Sequence, residues 1–362
     1  LDSTDSNSAV TKTNFLERNE HSFAQYIRIL GKGKRGTRSF TREEARAAMG
    51  QILDGQVLDL QLGAFLMLLR VKEETPDEIA GFVEAAQLEL DARTHGKFSD
   101  IPVDLDWSSY AGKRRHVPWF LLSIKALASA GYRVFVHGAA GHTHGRLYTQ
   151  DLAASLHIPL AASPGEAATA LDKYNCVFMP LKMIWPRLED IIQMRSILGL
   201  RSPIHSMARL LNPCRASAVI QGVFHPPYLA IHQHAGLALG YRSTLVIKGE
   251  GGEIERNPDA KTLAHWTRPE QDPAHGVDEL LPMFERRHMK PDTLDPSALN
   301  ALWRGERDDE YGEAAVISTI ELGLRAIKPG TEGLADEARQ IWADRDRTLV
   351  AQYGEHHGCP LV

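Results

Sequence analysis

The stretch from Cys176 to Gly240 restricts the possible folds more than any other part of the chain. It opens on a short apolar run, CVFMP (176–180), passes through MRSILGLRSP (194–203) and RLLNP (209–213), and reaches GVFHPPYL (222–229). Cys176–Met179 reads as a buried strand. Residues 187–200 place apolar side chains at 188, 191, 192 and 198, which is helical spacing, with Arg195 on the same face. Val134–His137 and Ser243–Lys248 (STLVIK) are two further strand-like runs, and helical spacing fills 118–130 and 147–157. Strands alternating with helices predict an α/β domain around a central, mostly parallel sheet.

The N-terminal part follows a different pattern. Thr41 stands three residues before Glu44 and Thr75 three before Glu78, with Pro76 between, so each threonine opens a helix with a capping box. Asp54-Gly55 closes the first of these, and DLQLGAFLMLLRV (59–71) makes a largely buried helix between them. Residues 21–95 therefore form a small all-helical domain, after an N-terminal segment (1–20) expected to be flexible. The α/β domain takes 96–185 and 213–362, with helical segments near 313–327 and 333–352. Residues 250–275 read as a polar loop.

The net charge of −5 argues mildly against a polyanionic partner, but the signs are segregated. Between His21 and Gly50 stand Arg28, Lys32, Lys34, Arg35, Arg38, Arg42 and Arg46 against Glu43 and Glu44. A second basic run is Lys113, Arg114, Arg115 and His116, whereas ERDDEYGE (306–313) is acidic. Cys176, Cys214 and Cys359 form no CxxC pair, which points to reduced thiols and a cytoplasmic protein. No apolar run approaches the roughly 20 residues that span a bilayer.

The order and spacing of CVFMP, the arginine-bearing helix, RLLNP and GVFHPPYL resemble the anthranilate phosphoribosyltransferase family, which has the nucleoside phosphorylase type III fold and belongs to glycosyltransferase family 3. The resemblance spans roughly residues 22–350. It implies a helical domain completed by helices from 186–212, and a substrate cleft between that domain and the α/β domain. It also implies Mg²⁺ and phosphoribosyl pyrophosphate, if transferase activity is kept.

The attachments of that chemistry are altered. Where the family carries GTGGDG, this chain reads SSYAGK (108–113), keeping Gly112 among bulky neighbours such as Tyr110. Side chains there deny phosphate a close approach to the backbone. KHGNR of the family becomes VHGAA (136–140), which keeps His137 and Gly138; a lone histidine at a strand end reads as structural. Of the family's Asp-Glu metal pair, Glu253 is the single candidate ligand, in a turn (KGEGGEI, 248–254) expected to be solvated and acidic. In the family the arginine matching Arg195 faces the anthranilate carboxylate. Here it either binds an anion or pairs with an internal carboxylate. Asn212-Pro213 reads as a turn. The pairs His142/His144 and His232/His234 lack the spacing of a zinc site, and the second pair would lie on different helix faces.

GKGKRGTR (31–38) is a mobile basic loop of the kind that follows phosphates without fixed geometry. Such a segment, with the altered loop, resembles the YbiB-like branch of the family, and this implies a homodimer formed through the helical domain that binds nucleic acid with little sequence specificity. Its contacts would come from Lys32, Lys34, Arg35, Arg38, Lys113, Arg114, Arg115, Arg187, Arg195, Arg201 and Arg209. Six neutralised phosphates would give a log–log salt slope of roughly −5. The alternatives are an active transferase working through Arg195 and Glu253, and a small-anion-binding scaffold that keeps the cleft of Gly112, His137, Gly138, Arg195 and Asn212. No cofactor is expected unless the transferase reading holds.

Overall fold

The computed structural model describes residues 20–33 and 35–348; residues 1–19 of the segment 1–20 expected to be flexible, Lys34 and residues 349–362 lie outside the described residues. Four helices begin the chain: α1 (Ala24–Gly31), α2 (Arg42–Leu53), α3 (Asp59–Lys72) and α4 (Pro76–Thr94). Thr41 and Thr75 cap α2 and α4 with complete capping boxes. Phe23, Tyr26, Phe40, Phe65 and Phe82 pack tilted, edge to face or stacked in the centre of this bundle. Gly81 lets α4 lie close against α2: a Cβ there would stand 2.3 Å from the Arg42 carbonyl oxygen.

The α/β domain is built on one seven-stranded sheet: β1 (Leu105–Ser109), β2 (Val134–Gly138), β3 (Cys176–Pro180), β4 (Ala218–Val223), β5 (Ser243–Lys248), β6 (Thr262–Thr267) and β7 (His275–Leu280), in the order β3-β2-β1-β4-β5-β6-β7. The first five are parallel and the last two antiparallel. The expected polar loop at 250–275 therefore contains β6 and the start of β7. These strands sit at one edge, with many side chains in solvent, so their apolar signal is weak. The central strand β1 also escapes the pattern because Asp106, Ser108 and Ser109 are polar yet buried.

Helices cover both faces: α5 (Phe120–Ser129), α6 (Thr149–Leu152), α7 (Pro164–Tyr174), α8 (Leu181–Ile184), α9 (Pro186–Gln193), α10 (Arg195–Leu198), α11 (Ile204–Met207), α12 (Pro227–Ala238), α13 (Ser297–Arg304), α14 (Glu310–Ile327) and α15 (Leu334–Ala343). The helix expected over 147–157 is only α6 followed by a 3-10 turn, and that over 187–200 breaks at Met194. The segment from α8 to Asn212 docks on the bundle. Trp185 Nε1 donates to the Ala86 carbonyl (2.9 Å), and Gln87 Nε2 donates to the Leu211 carbonyl (2.8 Å) and the Tyr241 hydroxyl (2.9 Å). Tyr228 on α12 donates to the buried Glu74 Oε2 after α3 (2.6 Å). Among the described residues no helix is long and apolar enough to cross a membrane.

Candidate functional site

The carboxyl ends of β1, β4 and β5 meet at one place, where loops carry ligands in parallel sheets. The loop after β1 (residues 109–115) and the turn after β5 (249–255) close on each other there. Glu253 is fully buried. Its Oε1 accepts the backbone N–H groups of Ala111 (2.5 Å) and Gly112 (2.6 Å), and its Oε2 accepts the Ser109 hydroxyl (2.9 Å). Glu250 Oε1 accepts the N–H groups of Arg114 (3.2 Å) and Arg115 (2.7 Å). Glu255 takes Lys113 Nζ on one oxygen (2.6 Å) and the Phe120 N–H on the other (3.0 Å). The turn supplies three carboxylates, and two of them take four backbone N–H groups of the loop.

Two expectations are corrected here. Glu253 is no solvated carboxylate; burial compels it to take three donors. Lys113 is 2% exposed and paired with Glu250 (3.0 Å) and Glu255, so it is withdrawn from any phosphate in solution. Burial alone would lower the Lys113 pKa, but Glu255 and Glu250 outweigh it and hold the ammonium above its ordinary value. Gly112 has φ +66°, and a Cβ there would come within 3.0 Å of Arg146 and Tyr148, so its glycine serves the turn.

Beneath the loop, His137 is buried, with Nδ1 2.6 Å from the Tyr110 hydroxyl and Nε2 3.1 Å from Asp106 Oδ2. Gly138 ends β2 beside Ser109. Asn212, at φ +40°, bonds the Ala216 N–H and carbonyl with its own amide, so its side chain closes the turn.

The arginines separate into distinct roles. Arg195 has no carboxylate partner among the described residues: its Nη1 donates to the His142 carbonyl and the Thr143 hydroxyl, and so pins the loop after β2. Arg209, expected at a phosphate, is buried and donates to the Gly222 (2.6 Å) and His205 carbonyls. Arg38 is exposed but forms a two-pronged pair with Glu44 (2.6 Å each), which leaves it unfree. Arg28 and Arg42 likewise pair with Glu20 and Glu84. Arg187 is half-buried, with Nε lacking a partner. Lys32, Arg35, Arg46, Arg114 and Arg115 remain exposed, with no carboxylate within 4 Å among the described residues; Lys34 lies outside those residues.

Arg201 is half-buried, and its one hydrogen bond among the described residues is a 3.5 Å contact with the Gly251 carbonyl. Burial, with Arg209, Arg146 and Arg195 nearby, brings its pKa down to about 10. It lines a cavity of about 90 Å³ with Arg70, His205, Arg209, His225 and Tyr228. Sequence reasoning missed this cavity, together with Glu250, Glu255 and Asp106. The spacing of the three glutamates after a glycine turn was the available signal. His232 is buried against Gln221 and His234 is exposed, and no group of three His, Cys, Asp or Glu among the described residues could hold a metal ion. Each carboxylate of the turn is committed to the loop or to its lysine.

The comparisons with known proteins agree with this geometry at the level of the fold. The glycosyl transferase family helical bundle domain matches residues 24–87, and the α/β domain of that family matches 121–286. The protein YbiB of Escherichia coli (strain K12) is 31% identical over 238 residues, covering 65% of this chain and 73% of that protein. Anthranilate phosphoribosyltransferase of Metallosphaera sedula is 26% identical over 329 residues, 88% of this chain and 93% of that enzyme. The crystal structure of anthranilate phosphoribosyltransferase from Thermus thermophilus matches with a TM-score of 0.69 at 22% identity, covering 88% of this chain and 93% of that one. The chain belongs to the glycosyl transferase family defined by these two domains, and its fold is that of an anthranilate phosphoribosyltransferase.

Proposed function

We propose that this chain binds nucleic acid through phosphate contacts, with little sequence specificity, and does not transfer phosphoribosyl groups. The observation that carries the reading is the self-filled loop. Glu253 and Glu250 occupy backbone donors that a pyrophosphate would need, while the side chains of Arg114 and Arg115 are exposed, without a carboxylate partner among the described residues. Lys32 and Arg35 offer a second exposed pair on the helical domain. Mobile cations of this kind suit a repeating polyanion.

A homodimer through the helical domain would place two copies of these cations on one particle. Leu60 and Val71 on α3 and Ile197 on α10 support it, being apolar and more than four-fifths exposed.

The test is fluorescence anisotropy of a labelled oligonucleotide at two salt concentrations. Binding that weakens steeply with salt, and is lost in the double substitution Arg114→Gln/Arg115→Gln, supports the reading. Absence of binding at low salt removes it and returns phosphoribosyl transfer to the front.

A further inference from the structure

The cavity between α3, the 201–209 segment and the start of α12 holds more cationic donors than the protein uses. Arg70 comes from the helical domain, Arg201 and Arg209 from the middle segment, and His225 and Tyr228 from the α/β domain. Among the described residues no carboxylate lies within 4 Å of Arg70, Arg201 or Arg209, whereas Arg42, Arg215 and Arg256 each have one. Arg209 spends Nε and Nη1 on carbonyls, and its Nη2 keeps no hydrogen-bond partner among the described residues. Guanidinium groups gathered without a counterion repel one another, and an anion relieves that cost.

His205 adds the specific element. It is 4% exposed and lines the cavity, and its Nε2 is buried without a partner among the described residues. Its Nδ1 lies 3.2 Å from the Ser202 carbonyl, which only a donor can satisfy, so the proton belongs on Nδ1. Nε2 is then an acceptor. The site offers several donors and one acceptor, which a fully ionised oxyanion cannot satisfy.

We propose that this cavity binds a phosphate-class anion, orthophosphate or a phosphomonoester, with its P–OH donating to His205 Nε2 and its remaining oxygens accepting from Arg201 and Arg209. Bound there, the anion joins the two domains. None of Lys32, Arg35, Arg114 and Arg115 lines the cavity, so either reading can fail alone.

Sulfate tests the acceptor, since it has the same shape and no proton near neutral pH. Titration calorimetry of the full chain with sodium phosphate and sodium sulfate at pH 7 and equal ionic strength should give phosphate about ten-fold tighter binding, the worth of one charge-assisted hydrogen bond. Arg201→Gln should weaken phosphate about ten-fold or more, and Arg114→Gln/Arg115→Gln should leave it within about two-fold. Equal affinity for the two anions in the wild-type protein, or no phosphate binding, overturns the proposal, and neither result depends on a variant folding. A 5′-phosphorylated oligonucleotide that displaces phosphate where its 5′-hydroxyl form does not would assign the pocket to strand ends. Failure of both to displace it would assign the pocket to free phosphate.

Discussion

One oxygen of the Glu253 carboxylate lies 2.6 Å from the backbone nitrogen of Gly112, 141 residues away in sequence, and the contact binds the turn after β5 to the loop after β1. Glu253→Ala would leave two buried N–H groups unpaired and the Ser109 hydroxyl with Thr149 alone. The expected cost is about 3 kcal/mol, measured by urea denaturation. Glu253→Gln, which keeps one acceptor, should cost less than the alanine.

Lys113 and its neighbour Arg114 should behave oppositely. Lys113→Met leaves Glu250 and Glu255 without their cation in a buried place, and should destabilise by about 3–5 kcal/mol. Arg114→Gln should change stability by less than about 0.5 kcal/mol and weaken oligonucleotide binding. A stable Lys113→Met protein in a thermal melt would contradict the structural role of this lysine.

The salt dependence should be shallower than a count of all the basic residues suggests. Lys32, Arg35, Arg114 and Arg115 can each neutralise one phosphate, which gives a log–log slope of about −3.6 per protomer engaged. A slope near −1 would mean that these side chains do not act together.

Acid should unfold the protein early. Burial holds His142 down to about 4 and His232 down to about 3, and holds His205 well below the ordinary value. All three are neutral when folded and take up protons when unfolded. Their contribution is intact above pH 6.5 and is lost as the pH falls toward the folded values. Near pH 5 they give a slope of about 4 kcal/mol per pH unit. Denaturation midpoints at pH 7.5 and 5.0 check it.

Glu74 has the reverse sign. Burial raises its pKa despite the Tyr228 bond, so its contribution is present below the ordinary carboxyl range and lost as pH rises. Glu74→Gln should be more stable than the parent at pH 8 by about 1 kcal/mol, with the difference gone at pH 4.

The bundle and the outer parallel strands were readable because their signals are local: two threonine caps, helical spacing, and apolar runs such as STLVIK. Strand β1 was hidden because its polar side chains are buried through distant partners, Asp106 by His137 and Ser109 by Glu253. The basic residues could be found but not sorted. Whether an arginine is free depends on a carboxylate such as Glu84 for Arg42, or on carbonyls as for Arg209, and sequence spacing carries neither. The turn at 250–255 was legible as acidic, yet nothing local says that it faces inward.

The Asp106–His137–Tyr110 chain acts as a check on assembly. Parallel pairing sets Ser108 against His137 and Asp106 against Phe135, so Asp106 and His137 share one face of the sheet while Trp107 stacks on Phe120 across the other. Sliding β2 by one residue would turn the imidazole toward Phe120 and abandon the carboxylate in an apolar layer. Misaligned pairings of these two strands are thereby disfavoured before the flanking loops close, and the loop that follows β1 meets its glutamates only in the correct one.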